Sequence, residues 1–139
     1  MTKLLNLISS FAFLLIFNPG KAQSDTVVIH SKSSIEMRAD IEKELTESKL
    51  ELEKTYKETV EFLDSVETSD ADNYKAYLVQ SQNGWTKYCE GKCKITEYQS
   101  RGGAQGGYAF YNICMTESNK ERTTELKNLL TEWKAEFDN

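Results

Sequence analysis

From Ser33 to Val66 the chain has no proline or glycine. Ile41, Leu45, Leu52, Tyr56, Phe62, Leu63 and Val66 recur at steps that mostly fit one face of a helix. The segment "SSIE" reads as a capping box, with Ser33 as the cap and Glu36 three residues on. Between the apolar positions lie Glu, Lys, Ser and Thr, with pairs such as Glu53 and Lys57 four residues apart, the pattern of a solvated face. The apolar stripe is narrow, so this long first helix is expected to pack on one side only.

"ETSDADN" interrupts the pattern, and Ser69 or Asp70 is the expected N-cap of a second helix. Within it Tyr74, Tyr77, Leu78, Ser81, Trp85, Tyr88 and Cys89 follow one another at three- and four-residue steps, an aromatic stripe expected to face the core. Gly84 interrupts that stripe at a propensity cost of about 1 kcal/mol, which suggests a place where another helix approaches closely. Gly91 suggests that the helix ends near there.

"KITEYQSRGGAQGGY" reads as a loop, with four glycines in its last part. Helical patterning resumes at Tyr108 and carries Phe110, Tyr111, Cys114, Met115, Leu126, Leu129, Leu130, Trp133 and Phe137. The wholly polar "TESNKER" inside it reads as an exposed face or a local break. The pattern predicts an all-α fold, a small domain of three to four helices with a long first helix and no sheet. No internal repeat is visible.

The N-terminal residues change the chemistry open to the rest. Lys3 precedes an apolar run from Leu4 to Phe17; Asn18, Pro19 and Gly20 break it, and "GKA" supplies small residues before a cleavage point. Residues 1–22 therefore read as a signal peptide cut after Ala22, with export to the periplasm or the medium. The run is too short for a membrane anchor, which needs roughly 20 apolar residues. Residues 23–32, with "TVVI" and the sole histidine His30, read as a tether, and 33–139 as the domain. Roughly 115 residues remain after cleavage, enough for one domain with a modest core. The formal charge of the whole chain is −5 and becomes more negative when Lys3 and Lys21 are removed. An acidic chain argues against nucleic acid and anionic membranes as partners and suits a basic protein.

Export makes cysteine oxidation the expectation. Cys89, Cys93 and Cys114 cannot all pair within one chain. A Cys93–Cys114 bridge would close the glycine-rich segment and is worth about 3 kcal/mol in the chain-entropy account. Cys89 lies one helical turn before Cys93, so the spacing leaves Cys89–Cys114 open as well. A Cys89–Cys93 bridge fits helical geometry poorly. The three-residue gap between them is not the Cys-X-X-Cys spacing of a redox dithiol. One histidine leaves almost no material for a hydrolytic triad or a zinc site, and "RGGAQGG" lacks the Gly-Lys-Ser/Thr ending of a phosphate cradle. No catalytic residue, metal or cofactor is expected.

The segments "YLVQSQNGWTKYCEGKC" and "YAFYNICMTESNKERTTELKNL" resemble the LprI-like lysozyme-inhibitor domain family over about residues 45 to 131. Gln82, Trp85, Tyr88 and Cys93 carry the spacing of its first motif, Gly102, Gly103, Tyr111 and Cys114 that of its second, and Arg122 and Leu126 that of its closing helix. Leu52 and Tyr56 match upstream. Glu53 and Asn119 depart from the family's preferred Asn and Thr, and Cys89 stands where the family often has Arg. The resemblance implies a Cys93–Cys114 disulfide with Cys89 as the additional thiol, expected as a buried structural one. It implies a non-enzymatic binding domain whose partner is a basic lysozyme. The residues Glu97, Tyr98, Gln99 and Arg101 are the candidate binding loop. The alternative is an adaptor of the envelope that uses the acidic first helix.

Overall fold

The computed structural model describes residues 33–102 and 106–137, and among them every regular element is a helix. The signal peptide, the tether and His30 lie outside the described residues. Helix α1 spans Ser34–Ser65, α2 spans Ser69–Gln99 and α3 spans Gly107–Phe137. Each is about 47 Å long at 1.5 Å per residue. The start of α1 is the expected capping box: Ser33 Oγ accepts from the Glu36 amide, and the Ser33 amide donates to the Glu36 carboxylate. The N-cap of α2 lies just before the expected Ser69 or Asp70. Thr68 is its N-cap, accepting from the Ala71 amide, and Asp70 and Asp72 favour the positive end of the helix dipole.

Cross-helix contacts give the topology. Asn119 Nδ2 donates to Ser48 Oγ, Lys120 reaches Glu44 and Lys127 reaches Glu51, so α1 and α3 run parallel. The Lys127 ammonium holds the Glu51 carboxyl below its usual range. Gln82 meets Arg122, Cys93 meets Cys114 and Tyr74 meets Trp133, so α2 runs antiparallel to α3. Helix α3 packs against both others, and α1 and α2 touch each other least. The result is an up-down-up three-helix bundle.

The core has two apolar ends. Near the α1–α2 turn, Leu52, Leu63, Ala71, Leu78 and Leu126 are buried, with Phe62, Tyr74, Trp133 and Phe137 packed around them. Tyr74 stacks on Trp133 at 5.3 Å between ring centroids. Its hydroxyl donates to Glu136, a bond that raises the Tyr74 pKa. Lys75 pairs with Asp64 across the turn. At the far end Cys89, Cys93, Cys114 and Met115 are buried, flanked by Leu45, Trp85 and Tyr111.

Interleaved with and between these apolar residues, much of the interior is polar. Ser48, Thr55 and Thr59 on α1 and Asn112, Thr116, Asn119 and Thr123 on α3 are all buried. Together with the buried Leu52 they fall at three- and four-residue steps, the seam of a heptad repeat. Three of the threonines are tolerated there because they satisfy their hydroxyls within their own helices: Thr59 on Thr55 O, Thr116 on Asn112 O and Thr123 on Asn119 O. Their small volume also suits close helix packing.

"TESNKER" is therefore neither an exposed face nor a break. It is continuous helix, and Thr116, Ser118, Asn119 and Arg122 within it are buried. The expected aromatic stripe on α2 also divides. Leu78 and Cys89 are buried, and Tyr74 and Trp85 are half-buried, whereas Tyr77 and Tyr88 are 67% and 66% exposed. Steps of three and four can drift around a helix, and these two tyrosines fall on its outer side. Gly84 admits no neighbour, since a Cβ there would meet nothing within 4 Å. Helix α2 does not stop near Gly91 but runs to Gln99, so "KITEYQ" is helical rather than loop.

The disulfide joins Cys93 to Cys114, and the Cys89 thiol is free and buried. The α2–α3 connection needs glycine in two ways. Gly106 has φ +74°, and a Cβ on Gly107 would lie 2.5 Å from the backbone oxygen of Glu97. The chain enters α3 hard against the end of α2, immediately beyond the disulfide.

Three outcomes follow. Replacing Cys93 and Cys114 together by Ser should lower unfolding stability by about 3 kcal/mol in urea titration, with the helical circular-dichroism signature retained. Gly107→Ala should destabilise by about 1–3 kcal/mol, because the contacted atom is backbone and cannot swing aside. Gly84→Ala, on open surface, should leave the midpoint unchanged or raise it.

Candidate functional site

The residues singled out by the sequence divide among three places. Tyr56 from α1 and Gln82 and Trp85 from α2, distant in sequence, line one groove between these helices. Because α1 and α2 touch little, the surface of α3 is open between them. Leu52, Met115 and Asn119 complete the lining with Tyr111, and Lys49, Glu53, Thr86 and Glu90 surround them. The groove encloses about 380 Å³. Tyr56, Trp85 and Tyr111 are half-buried: each packs part of its ring on the core and leaves part in the groove.

Beneath this groove lies Arg122, only 4% exposed. Its Nε donates to Gln82 Oε1 at 3.0 Å, one terminal nitrogen donates to Ser81 Oγ at 2.8 Å and the other meets Glu125 Oε1 at 2.8 Å. A buried guanidinium is tolerable only when its donors are satisfied, and this fork spans α2 and α3 to do so. Leu126, one turn further on α3, is fully buried. Gln82 thus has two faces: its carbonyl oxygen holds Arg122, and its side chain helps to line the groove. Ser118, between Cys114 and Arg122 on α3, has a buried hydroxyl without a hydrogen-bond partner among the described residues. The antiparallel register places it level with Cys89.

Tyr88 does not join this group, since it stands on the outer side of α2. The candidate binding loop is likewise not a loop for most of its length. Glu97, Tyr98 and Gln99 form the last turn of α2, and Arg101 follows in the turn beyond it. Arg101 is fixed to that helix end, with its guanidinium 3.5 Å from the Tyr98 ring centroid and its Nε donating to Tyr98 O. Glu97 is engaged by Lys94, whose ammonium also lies 4.8 Å from the Tyr111 ring centroid. The Glu97 hydrogen bond raises the Lys94 pKa. Tyr98 is 66% exposed and Tyr108, across the connection, is 62% exposed. The tip is an aromatic and cationic knob held by a disulfide at its base.

The sequence did not single out Glu53 and Glu90 as groove residues; nothing in their spacing marks two carboxylates that a third helix brings to one opening. Among the described residues no group of three or more His, Cys, Asp or Glu could hold a metal ion, and no helix is long and apolar enough to cross a membrane.

Comparison with known proteins identifies a family. The family profile "Lysozyme inhibitor LprI" matches residues 29–126, which span α1, α2 and most of α3. An uncharacterized protein of Rhizobium meliloti (strain 1021) is 30% identical over 86 residues, covering 58% of this chain and 61% of the relative. The chain thus spans about three-fifths of the length of the curated relative it matches. No solved structure matches.

The Arg122 fork yields a prediction. Gln82→Ala should cost about 1–3 kcal/mol, because it strips a buried guanidinium donor of its acceptor. Arg122→Ala should cost about 2–5 kcal/mol, from lost packing and unpaired partners. Urea denaturation checks both, and the double variant should cost less than the two single losses added together, because the residues share one interaction.

Proposed function

The chain belongs to the lysozyme inhibitor LprI family, and from that we propose that it is an exported, non-enzymatic domain that binds and blocks a basic lysozyme. The family match across all three helices is the observation that carries this reading. Three physical features support it. A formal charge of −5 favours encounter with a basic enzyme. The Cys93–Cys114 bridge suits an oxidising compartment outside the cytoplasm. Arg101 is already held at the end of α2 against Tyr98, so little of its freedom is lost when it docks.

The tip also offers a way to stop the reaction. Glycoside cleavage by lysozyme uses two carboxyl groups, one of them kept protonated to donate to the leaving oxygen. A guanidinium placed beside that group favours its ionised form and removes the acid. Arg101, backed by Tyr98, is the residue suited to this role, and Tyr98 and Tyr108 supply contact area around it. Inhibition in this reading is occupation of the glycan cleft together with loss of the general acid.

Purified residues 23–139 should suppress lysis of a peptidoglycan suspension by a basic lysozyme at micromolar inhibitor. Arg101→Ala should weaken the inhibition by about tenfold or more without changing the urea midpoint. Raising the salt concentration should slow association. Unchanged lysis at micromolar excess of the wild-type domain would count against the reading.

A further inference from the structure

The groove between α1 and α2 holds three aromatic rings whose backs are fixed by the core. Tyr56 and Trp85 pack on the apolar end that contains Leu52, and Trp85 and Tyr111 on the end that contains the disulfide. Ring faces carry negative electrostatic potential and attract cations that approach them. Lys94 already lies over the Tyr111 ring, whereas no cation stands over Tyr56 or Trp85 among the described residues. Two carboxylates line the same opening, Glu53 from α1 and Glu90 from α2.

Elsewhere on the bundle acids are commonly matched. Glu44, Glu47, Glu51, Glu58, Glu61 and Asp64 each have a lysine within 4 Å. No such ion pair involves Glu53 or Glu90 among the described residues. Lys49 is the cation in the groove lining and leaves an excess of negative charge there. The rings of Tyr56 and Trp85, the unpaired carboxylates and an opening of about 380 Å³ between two helices form a receptor for positive charge.

We infer that this groove receives a cationic side chain, arginine in preference to lysine, presented by the protein partner. The inference rests on the reading of that partner as a basic protein and adds a second contact to the tip. Arginine suits the site because its planar guanidinium can stack on a ring while its edge donates to a carboxylate; lysine offers a point charge alone. The groove and the tip lie along one stretch of chain, from Gln82 on α2 to Arg101 just past its end. A basic surface that puts one side chain between α1 and α2 therefore meets Arg101 about 20–25 Å further along the helix.

Trp85 reports on the site directly. In Trp133→Phe protein it is the remaining tryptophan of the two in the chain. Titration with a capped tri-arginine peptide should give a saturable change in Trp85 emission. The isosteric capped tri-citrulline peptide should bind at least tenfold more weakly. Glu53→Gln with Glu90→Gln should weaken the arginine peptide about tenfold, and both positions are exposed, so the fold and its melting temperature should be kept. Equal binding of the two peptides would overturn the assignment. So would a response to chito-oligosaccharide in place of arginine, or no response at millimolar peptide.

A second arm separates this inference from the reading it rests on. The affinity of the double variant for a basic lysozyme, measured by calorimetry, should fall by a similar factor. If wild-type protein fails to bind lysozyme yet binds the arginine peptide, the lysozyme reading falls and the receptor for positive charge stands. If lysozyme binds wild type and double variant equally, the groove assignment falls and the lysozyme reading stands.

Discussion

Everything in this bundle depends on α3 lying against two helices at once along a seam that is only partly apolar. Helix α1 meets it through Ser48, Thr55 and Thr59 opposite Thr116, Asn119 and Thr123. Such a seam has little hydrophobic drive, since a threonine buries far less apolar surface than a leucine. Stability therefore comes from its ends and its cross-links: the leucine and aromatic cluster near the α1–α2 turn, the Arg122 fork between α2 and α3, and the disulfide at the far end. Because α3 takes most of the packing from both neighbours, α1 and α2 do not close over it, and the groove is the consequence.

The sequence made the helices legible and left the seam hidden. The Ser33–Glu36 capping box, the run of 32 residues in α1 without glycine or proline and the class of the fold all follow from local rules that tertiary packing did not override. The seam escaped because an apolar periodicity cannot detect threonine and asparagine at heptad positions. Such residues pass for surface until the i−4 carbonyls that satisfy Thr59, Thr116 and Thr123 are seen. The same blindness turned "TESNKER" into a candidate surface or break. Glycine content misled in the other direction. Gly84 and Gly91 suggested a close approach and a helix end, yet both stand on open surface inside a continuous helix. Gly107, lost among its neighbours in the sequence, is the one pressed against backbone.

The candidate site was half visible. The resemblance to the family identified Tyr56, Gln82, Trp85 and Arg122 without saying that three of them share a groove and the fourth supports it from below. Tyr88, grouped with them by spacing, stands apart because three residues beyond Trp85 is already the outer side of α2. Glu53 departs from the family's preferred residue and still reaches the groove, where with Glu90 it gives the opening its charge. Arg101 was named for a flexible loop. The structure instead fixes it on a helix end against Tyr98, which changes its expected role from adaptable contact to preorganised one.

Rigidity links these parts. The disulfide holds the end of α2 against the start of α3, the tip extends from that junction, and the groove is walled by the same α2. A nuclear magnetic resonance titration of the isotope-labelled mature domain with an unlabelled basic lysozyme tests this arrangement most directly. The account predicts shifts or broadening along one connected surface, from Leu52 to Tyr56, from Gln82 to Glu90 and from Tyr98 to Gly102. Perturbations confined to the opposite groove, lined by Met37, Glu44, Ile113 and Lys120, or an unchanged spectrum at twofold excess, would contradict it.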